Sequence, residues 1–249
     1  MFGTLALNNS DLLILILICV FAGIIRGFSG FGLSAFVMSL ALTIIPPIEL
    51  IPVCWWMEFV ASVFMIRNGW KDSDKKISVI LWLGAVFGLP VGIALTTILD
   101  FQTSKIVALV LILILALILL RNFKIQFLST SVGTISSGVF AGVATGLASI
   151  GGMIVAIYVL ASQNSARRVR ASIVLYIFLN SVTTCIFLIL FDVMDHKAFV
   201  RGVLLAVPSS IGVVLGSILF MQKLEKYYRP FSLGLLISFS LVGLIRLTG

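Results

Sequence analysis

Charge is what this sequence has least of. Only 10% of its 249 residues are charged, where a soluble domain carries about 25%. So few charges could not cover a water-facing surface, which excludes an ordinary soluble globular protein. Histidine is nearly absent as well. The chain has one histidine, His196, three isolated cysteines (Cys19, Cys54 and Cys185) and no CxxC pair. That excludes the ligand spacing of a zinc site, so no metal is expected. The cysteines read as small apolar packing residues. There is no nucleotide-binding loop and no nucleophile set beside a base. No cofactor and no enzymatic activity are therefore expected, and any driving energy would come from an ion gradient or the membrane potential. No Lys or Arg precedes Leu12 and no small-residue cleavage site is evident, so the first apolar run is expected to be retained rather than removed as a signal peptide.

What is present is hydrophobicity: 61% of the residues, with a mean hydropathy of +1.24. Apolar stretches run roughly over 12–45, 48–66, 77–99, 103–120, 131–161, 171–191, 198–221 and 231–247. Crossing the hydrocarbon core takes about 20 apolar residues as a helix. The runs are continuous rather than alternating, which indicates helices and not a barrel. The partner implied is a lipid bilayer, and the expected location is the cell (plasma or inner) membrane, crossed several times. The formal net charge of +8 does not point to nucleic acid, because the basic residues sit in short connections where the positive-inside rule places them.

Two stretches are too long for one span and are interrupted by glycines. The interruptions read Arg26-Gly27-Phe28-Ser29-Gly30-Phe31-Gly32 and Thr145-Gly146-Leu147-Ala148-Ser149-Ile150-Gly151-Gly152. They are copies of each other. At an offset of 119, Phe21-Ala22-Gly23 falls on Phe140-Ala141-Gly142, Gly27 on Gly146 and Gly32 on Gly151. Gly84 and Pro90 match Gly202 and Pro208 at an offset of 118. The chain reads as two repeats, 1–122 and 131–249.

Charge decides how the long stretches sit. As single crossings, they would divide the loop Lys and Arg 9 to 7 between the two sides, which is no bias. As hairpins that enter and leave on one side, they divide them 12 to 4, the bias expected of a cytoplasmic face. Residues 12–25 and 31–45 are 14 and 15 long, about 21–22 Å each, too short to span but long enough to pass the middle. A hairpin plus three crossings is an odd number of passes, so the second repeat is inverted. The expected fold is an all-α polytopic membrane protein of two inverted repeats, each a broken, re-entrant helical hairpin plus three transmembrane helices. Glycine-rich tips meeting near the midplane are the architecture of secondary transporters.

At these residues the chain resembles the sulfite exporter TauE/SafE family, also called the four-toluene-sulfonate uptake permease family. The resemblance is carried by Gly27-Phe28-Ser29-Gly30-Phe31-Gly32 through Pro46-Pro47-Ile48-Glu49, and by Gly138-Val139-Phe140-Ala141-Gly142 through Gly146-Leu147-Ala148-Ser149-Ile150-Gly151-Gly152. It implies transport of sulfite, sulfonates, thiosulfate or related small anions, driven by an ion gradient.

The tips have chemistry suited to an anion. A helix beginning inside the membrane exposes backbone N–H groups and about half a positive charge. Glycine lets an oxyanion approach the backbone closely. The candidate substrate-binding residues are Arg26, Gly27, Ser29, Gly30, Gly32, Thr145, Ser149, Gly151, Gly152 and Asn180. Arg26 is the sharpest of them, since an arginine at membrane depth costs at least about 2.5–3.5 kcal/mol and a sulfonate would offset that through a bidentate pair. Its plainer reading is a cap on carbonyls at the break. For Gly23 and Gly142, and in part for the tip glycines, the plainer reading is close helix packing. Glu58, beside Trp55-Trp56-Met57, is the only acid well inside an apolar stretch and is the proton-coupling candidate, against an interfacial placement. Asn180 lies in a polar patch with Ser181, Thr183 and Thr184, where interhelical hydrogen bonding is the alternative. The basic run Arg167–Arg170 reads as a topology signal.

Together these features describe a secondary transporter of a small sulfur-containing anion, working by alternating access with a coupling proton or sodium ion. The rivals are a passive anion or small-solute channel and a non-transport membrane scaffold subunit. The oligomeric state is left open, a homodimer among the arrangements allowed.

Overall fold

The computed structural model describes residues 8–121, 130–161, 165–219 and 225–248. These form ten α-helices and, among the described residues, no strand: α1 (Asn9–Ser29), α2 (Leu33–Ala41), α3 (Pro47–Asp72), α4 (Lys75–Ile98), α5 (Phe101–Arg121), α6 (Ser131–Ala148), α7 (Gly151–Ala161), α8 (Ala166–Leu190), α9 (His196–Ile218) and α10 (Glu225–Thr248). Each apolar stretch became one helix or one broken pair. Polar residues in the connections start several of them. Asp74, Thr130, Ser165 and Asp195 accept the N–H of Ile77, Gly133, Arg168 and Ala198 respectively, supplying orphan first-turn donors with partners. Pro47 starts α3 without losing a bond, because its missing N–H falls where none is needed. Six of the described helices are long and apolar enough to cross a membrane.

The two long stretches are hairpins. Phe21 of α1 stacks edge-on against Phe36 of α2, with ring centroids 5.5 Å apart, and Gly32 returns toward Ile25, so α2 doubles back along α1. In the second, the Thr134 hydroxyl meets that of Tyr158 at 2.7 Å while Gly151 packs on Ala141. The breaks sit later than the sequence suggests, and the arms are unequal. α1 continues through Arg26, Gly27 and Phe28 for 21 residues, about 31 Å; α2 has only 9. α6 likewise runs through Gly146 to Ala148. The expectation of two matched arms of 14 and 15 residues is therefore corrected. Gly27 and Gly146 are helical glycines whose bare faces meet another helix's backbone.

That contact organises the bundle. Gly23 faces the Ser209 carbonyl and Gly27 the Val213 carbonyl, so α1 and α9 run parallel at very short range. Gly84, Gly88 and Gly92 of α4 face the carbonyls of Ile135, Val139 and Val143 in the same way, making α4 and α6 parallel. A Cβ on Gly88 would stand 1.9 Å from the Val139 oxygen, which no rearrangement of side chains could relieve. Small residues permit such backbone approach in membranes, where dispersion and not water expulsion drives association. The packing reading of Gly23 and Gly142 fits this seam.

Between these seams lies α3, antiparallel to α8: Trp55 donates its indole N–H to the Ser181 carbonyl at 2.7 Å, and Asp72 pairs with Arg167 at 2.8 Å. Three acids of α3 are each paired with an arginine of a different helix: Glu49 with Arg201 of α9, Glu58 with Arg26 of α1, and Asp72 with Arg167 of α8.

Candidate functional site

The first tip is built around a buried ion pair. α1 ends at Gly30, whose φ of 85° is left-handed, and α2 is started by Gly32 at φ 94°. Glycine takes these conformations without the Cβ clash that penalises other residues. Arg26, one turn before the break, is fully buried. Its Nε donates to the Glu58 carboxylate at 2.6 Å, one terminal nitrogen to the Gly30 carbonyl, and the other to the Ser62 hydroxyl at 3.0 Å. The second Glu58 oxygen accepts the Ser34 hydroxyl at 3.0 Å and the Ser34 N–H at 3.4 Å. Ser34 is the second residue of α2, so the positive end of that helix already faces a carboxylate. Ser29 is turned inward on the same break: its hydroxyl donates to the Ile25 carbonyl at 2.8 Å and lies 2.7 Å from the Phe31 carbonyl oxygen, and it accepts the Phe31 N–H. This tip is charged, neutral in sum, and internally satisfied.

The second tip is different. α6 ends at Ser149, a non-glycine residue held left-handed at φ 57°, and α7 begins at Gly151. A small cavity of about 30 Å³ adjoins it, lined by Thr145, Ser149 and Gly152 of the tip, by Trp55 and Glu58 of α3, and by Tyr176, Ile177, Asn180, Ser181 and Thr184 of α8. At roughly 10–15 Å³ per water, it has room for about two. Tyr176 is 1% exposed and turns its hydroxyl to the Thr145 side chain, while Asn180 Oδ1 lacks a hydrogen-bond partner among the described residues. A buried polar atom without a partner costs about 1–3 kcal/mol, and Asn180 Oδ1 is such an atom beside this cavity. At the start of α7 the Met153 N–H donates to the Ile150 carbonyl at 2.9 Å, and Gly152, whose N–H falls before the helix's own ladder, lies on the cavity wall. Among the described residues no group of His, Cys, Asp and Glu could hold a metal.

The model of the sulfite exporter TauE/SafE family matches residues 15–243. The chain belongs to this family. No curated protein and no solved structure matches it. The TauE/SafE family is one of membrane transporters of sulfur-containing anions, and the chain is accordingly a multi-pass membrane protein with a small anion as substrate.

Within this TauE/SafE chain, the expected site residues separate into two groups. Thr145, Ser149, Gly152, Asn180 and the coupling candidate Glu58 are brought together around one cavity. Arg26 stands behind Glu58 and reaches the cavity only through it. Gly30 and Gly32 shape the first break, Gly151 packs against Ala141, and Gly27 lies on the seam with α9, its carbonyl taking hydrogen bonds from Arg170 and Ser217. Tyr176 escaped the sequence reading. The signal was available: Tyr176, Asn180 and Thr184 stand four residues apart in an otherwise apolar helix and so share one face.

Proposed function

We propose that the chain is a secondary transporter of sulfur oxyanions or organosulfonates, working by alternating access, with the substrate held between the second tip and α8. The observation that carries this reading is the cavity in which α7's N-terminus, the Tyr176 and Asn180 polar atoms and Glu58 converge. An oxyanion there would accept from the helix N-terminus and the hydroxyls. It would also lie against the Glu58 carboxylate, which repels it unless Glu58 takes up a proton or stays neutralised by Arg26. Glu58 is accordingly the candidate for coupling to a proton or sodium ion. The cavity, about 30 Å³, is smaller than a sulfonate, so binding requires the tip and α8 to part.

The helix directions support the two-repeat reading. Swapping the first five helices with the last five turns the α1–α9 seam into the α6–α4 seam and keeps α3 against α8. Repeats 1–122 and 131–249 would then be inverted, with rocking of one against the other exposing the site to each side. The ends carrying Arg67, Lys71, Lys75, Lys76, Arg121, Arg167 and Arg168 would face the cytoplasm of a cell membrane.

The test is counterflow of labelled sulfite into proteoliposomes containing wild type, Asn180→Ala or Glu58→Gln. Saturable exchange competed by sulfonates and weakened at least tenfold in Asn180→Ala supports the reading. Folded wild-type protein that exchanges no sulfur oxyanion, or an Asn180→Ala variant with unchanged KM, overturns it.

A further inference from the structure

The cavity beside the second tip is two-sided in its chemistry. Thr145 and Ser149 of the tip and Asn180 and Thr184 of α8 line it with hydroxyl and amide groups. Trp55 of α3 also lines it, beside Glu58, which is three residues on and so shares its face of the helix. The indole has one polar atom, and that atom is committed. Its N–H donates to the Ser181 carbonyl at 2.7 Å. What remains for a ligand is hydrocarbon and π surface. A ring face carries the negative end of a quadrupole, so an oxygen of an anion set against it finds no donor and has given up its water.

The ring is also held still. Phe59 stacks nearly parallel to it, with centroids 5.4 Å apart and 9° between the planes. Trp56 meets it edge-on, its centroid 4.9 Å away. The bond to Ser181 keeps the indole beside Asn180, the preceding residue of α8, when the tip and α8 part. An anion in this site therefore has donors for its oxygens on some sides and a fixed apolar wall on another.

We propose that Trp55 is a specificity-determining residue of this transporter. It takes the corner of the substrate that carries no oxygen: the carbon of an organosulfonate, the terminal sulfur of thiosulfate or the lone pair of sulfite. It thereby rejects sulfate, which has oxygen at all four corners and must leave one of them against the ring. An oxygen without a donor there should weaken binding about tenfold or more. This role rests on the transport reading, because it concerns what the same site selects.

The experiment is inhibition of labelled-sulfite counterflow by unlabelled thiosulfate and by unlabelled sulfate, in proteoliposomes holding the full chain. Both competitors are dianions, so the Glu58 carboxylate acts on them alike and the comparison isolates the fourth corner. Thiosulfate should inhibit at a concentration about tenfold or more below that of sulfate. Trp55→Gln puts a side-chain amide on the wall and should narrow the gap to about threefold or less. Trp55→His, which keeps a ring for Phe59 to stack on, is the second donor-bearing variant and should narrow it likewise. Trp55→Phe keeps hydrocarbon on the wall but loses the bond to Ser181, and should preserve most of the preference. Equal inhibition by the two anions on wild type, or inhibition by neither, overturns the role of Trp55. So does a preference left intact in whichever donor-bearing variant folds, or one lost equally in Trp55→Phe. Folded wild type that exchanges no sulfur oxyanion sinks the transport reading and this role with it, whereas exchange without the preference sinks this role alone.

Discussion

The two tips invite comparison because they share a backbone and differ in chemistry. Gly30 and Ser149 lie 119 residues apart, both are left-handed, and each donates its N–H to the carbonyl four residues back, at Arg26 and Thr145. The same offset carries Pro47, first residue of α3, onto Ala166, first residue of α8. It also places Arg26 on Thr145 and Glu58 on Ile177. The first tip thus spends its polar groups on one another across an ion pair, whereas the second replaces that pair with a hydroxyl and a hydrocarbon and has the unpartnered Asn180 Oδ1 next to its cavity. A motif read as a binding site in both halves is an ion-paired lock in one, and on the function proposed above a receptor in the other.

The sharpest way to break that comparison is to unlock the first tip. Arg26→Ala strands a buried carboxylate and should cost about 3–5 kcal/mol, seen as a lowered melting temperature of the purified protein; adding Glu58→Gln should restore most of it. An Arg26→Ala chain as stable as wild type would mean that the pair holds nothing together. Next in size is the backbone at the two breaks. Gly30→Ala should destabilise by about 1–2 kcal/mol because its left-handed φ disfavours a Cβ, whereas Ser149→Gly should stabilise by about 1 kcal/mol in the same melts.

Two further changes are read out in transport, the second of them at a cost in stability because it leaves the buried Arg26 without its counter-charge. Tyr176→Phe removes the hydroxyl that meets Thr145 beside the cavity, so stability should change by about 1 kcal/mol or less while KM rises about tenfold, the worth of one hydrogen bond to a charged group. An unchanged KM would remove Tyr176 from the site. Glu58→Gln is predicted to flatten the pH dependence of exchange while retaining exchange itself, checked by counterflow at stepped pH with equal pH on both sides. A profile as steep as wild type's would assign the coupling elsewhere.

Much of the fold was legible because bilayers impose it: every apolar stretch became a helix or a hairpin, and the hairpins fell where glycines interrupt runs too long for one span. The position of the break was not legible. Gly27 and Gly146 look the same as Gly30 in a sequence, yet they remain helical, because glycine serves equally for turning the chain and for admitting a neighbouring backbone. Nor could the sequence tell that Arg26 is spent on Glu58. The two lie 32 residues apart on helices joined through a third, and no periodicity records that contact. Asn180, Thr145 and Ser149 were found through their polarity in apolar surroundings, a signal that Tyr176 weakened by being aromatic.

The three acids of α3 have a mechanical consequence. Glu58 is about 13 Å along the helix from Glu49 and about 21 Å from Asp72 at 1.5 Å per residue, with each acid tied to a different neighbour. Pro52 interrupts the hydrogen-bond ladder between Glu49 and Glu58, so the stiff arm of this lever is the stretch from Glu58 to Asp72. Tilting that arm by about 6° around Glu58 displaces Asp72 by about 2.2 Å. That displacement is large beside the 2.8 Å of the Asp72–Arg167 bond, so this arm lets go first. Whatever moves α3 would release one end of the molecule before the other.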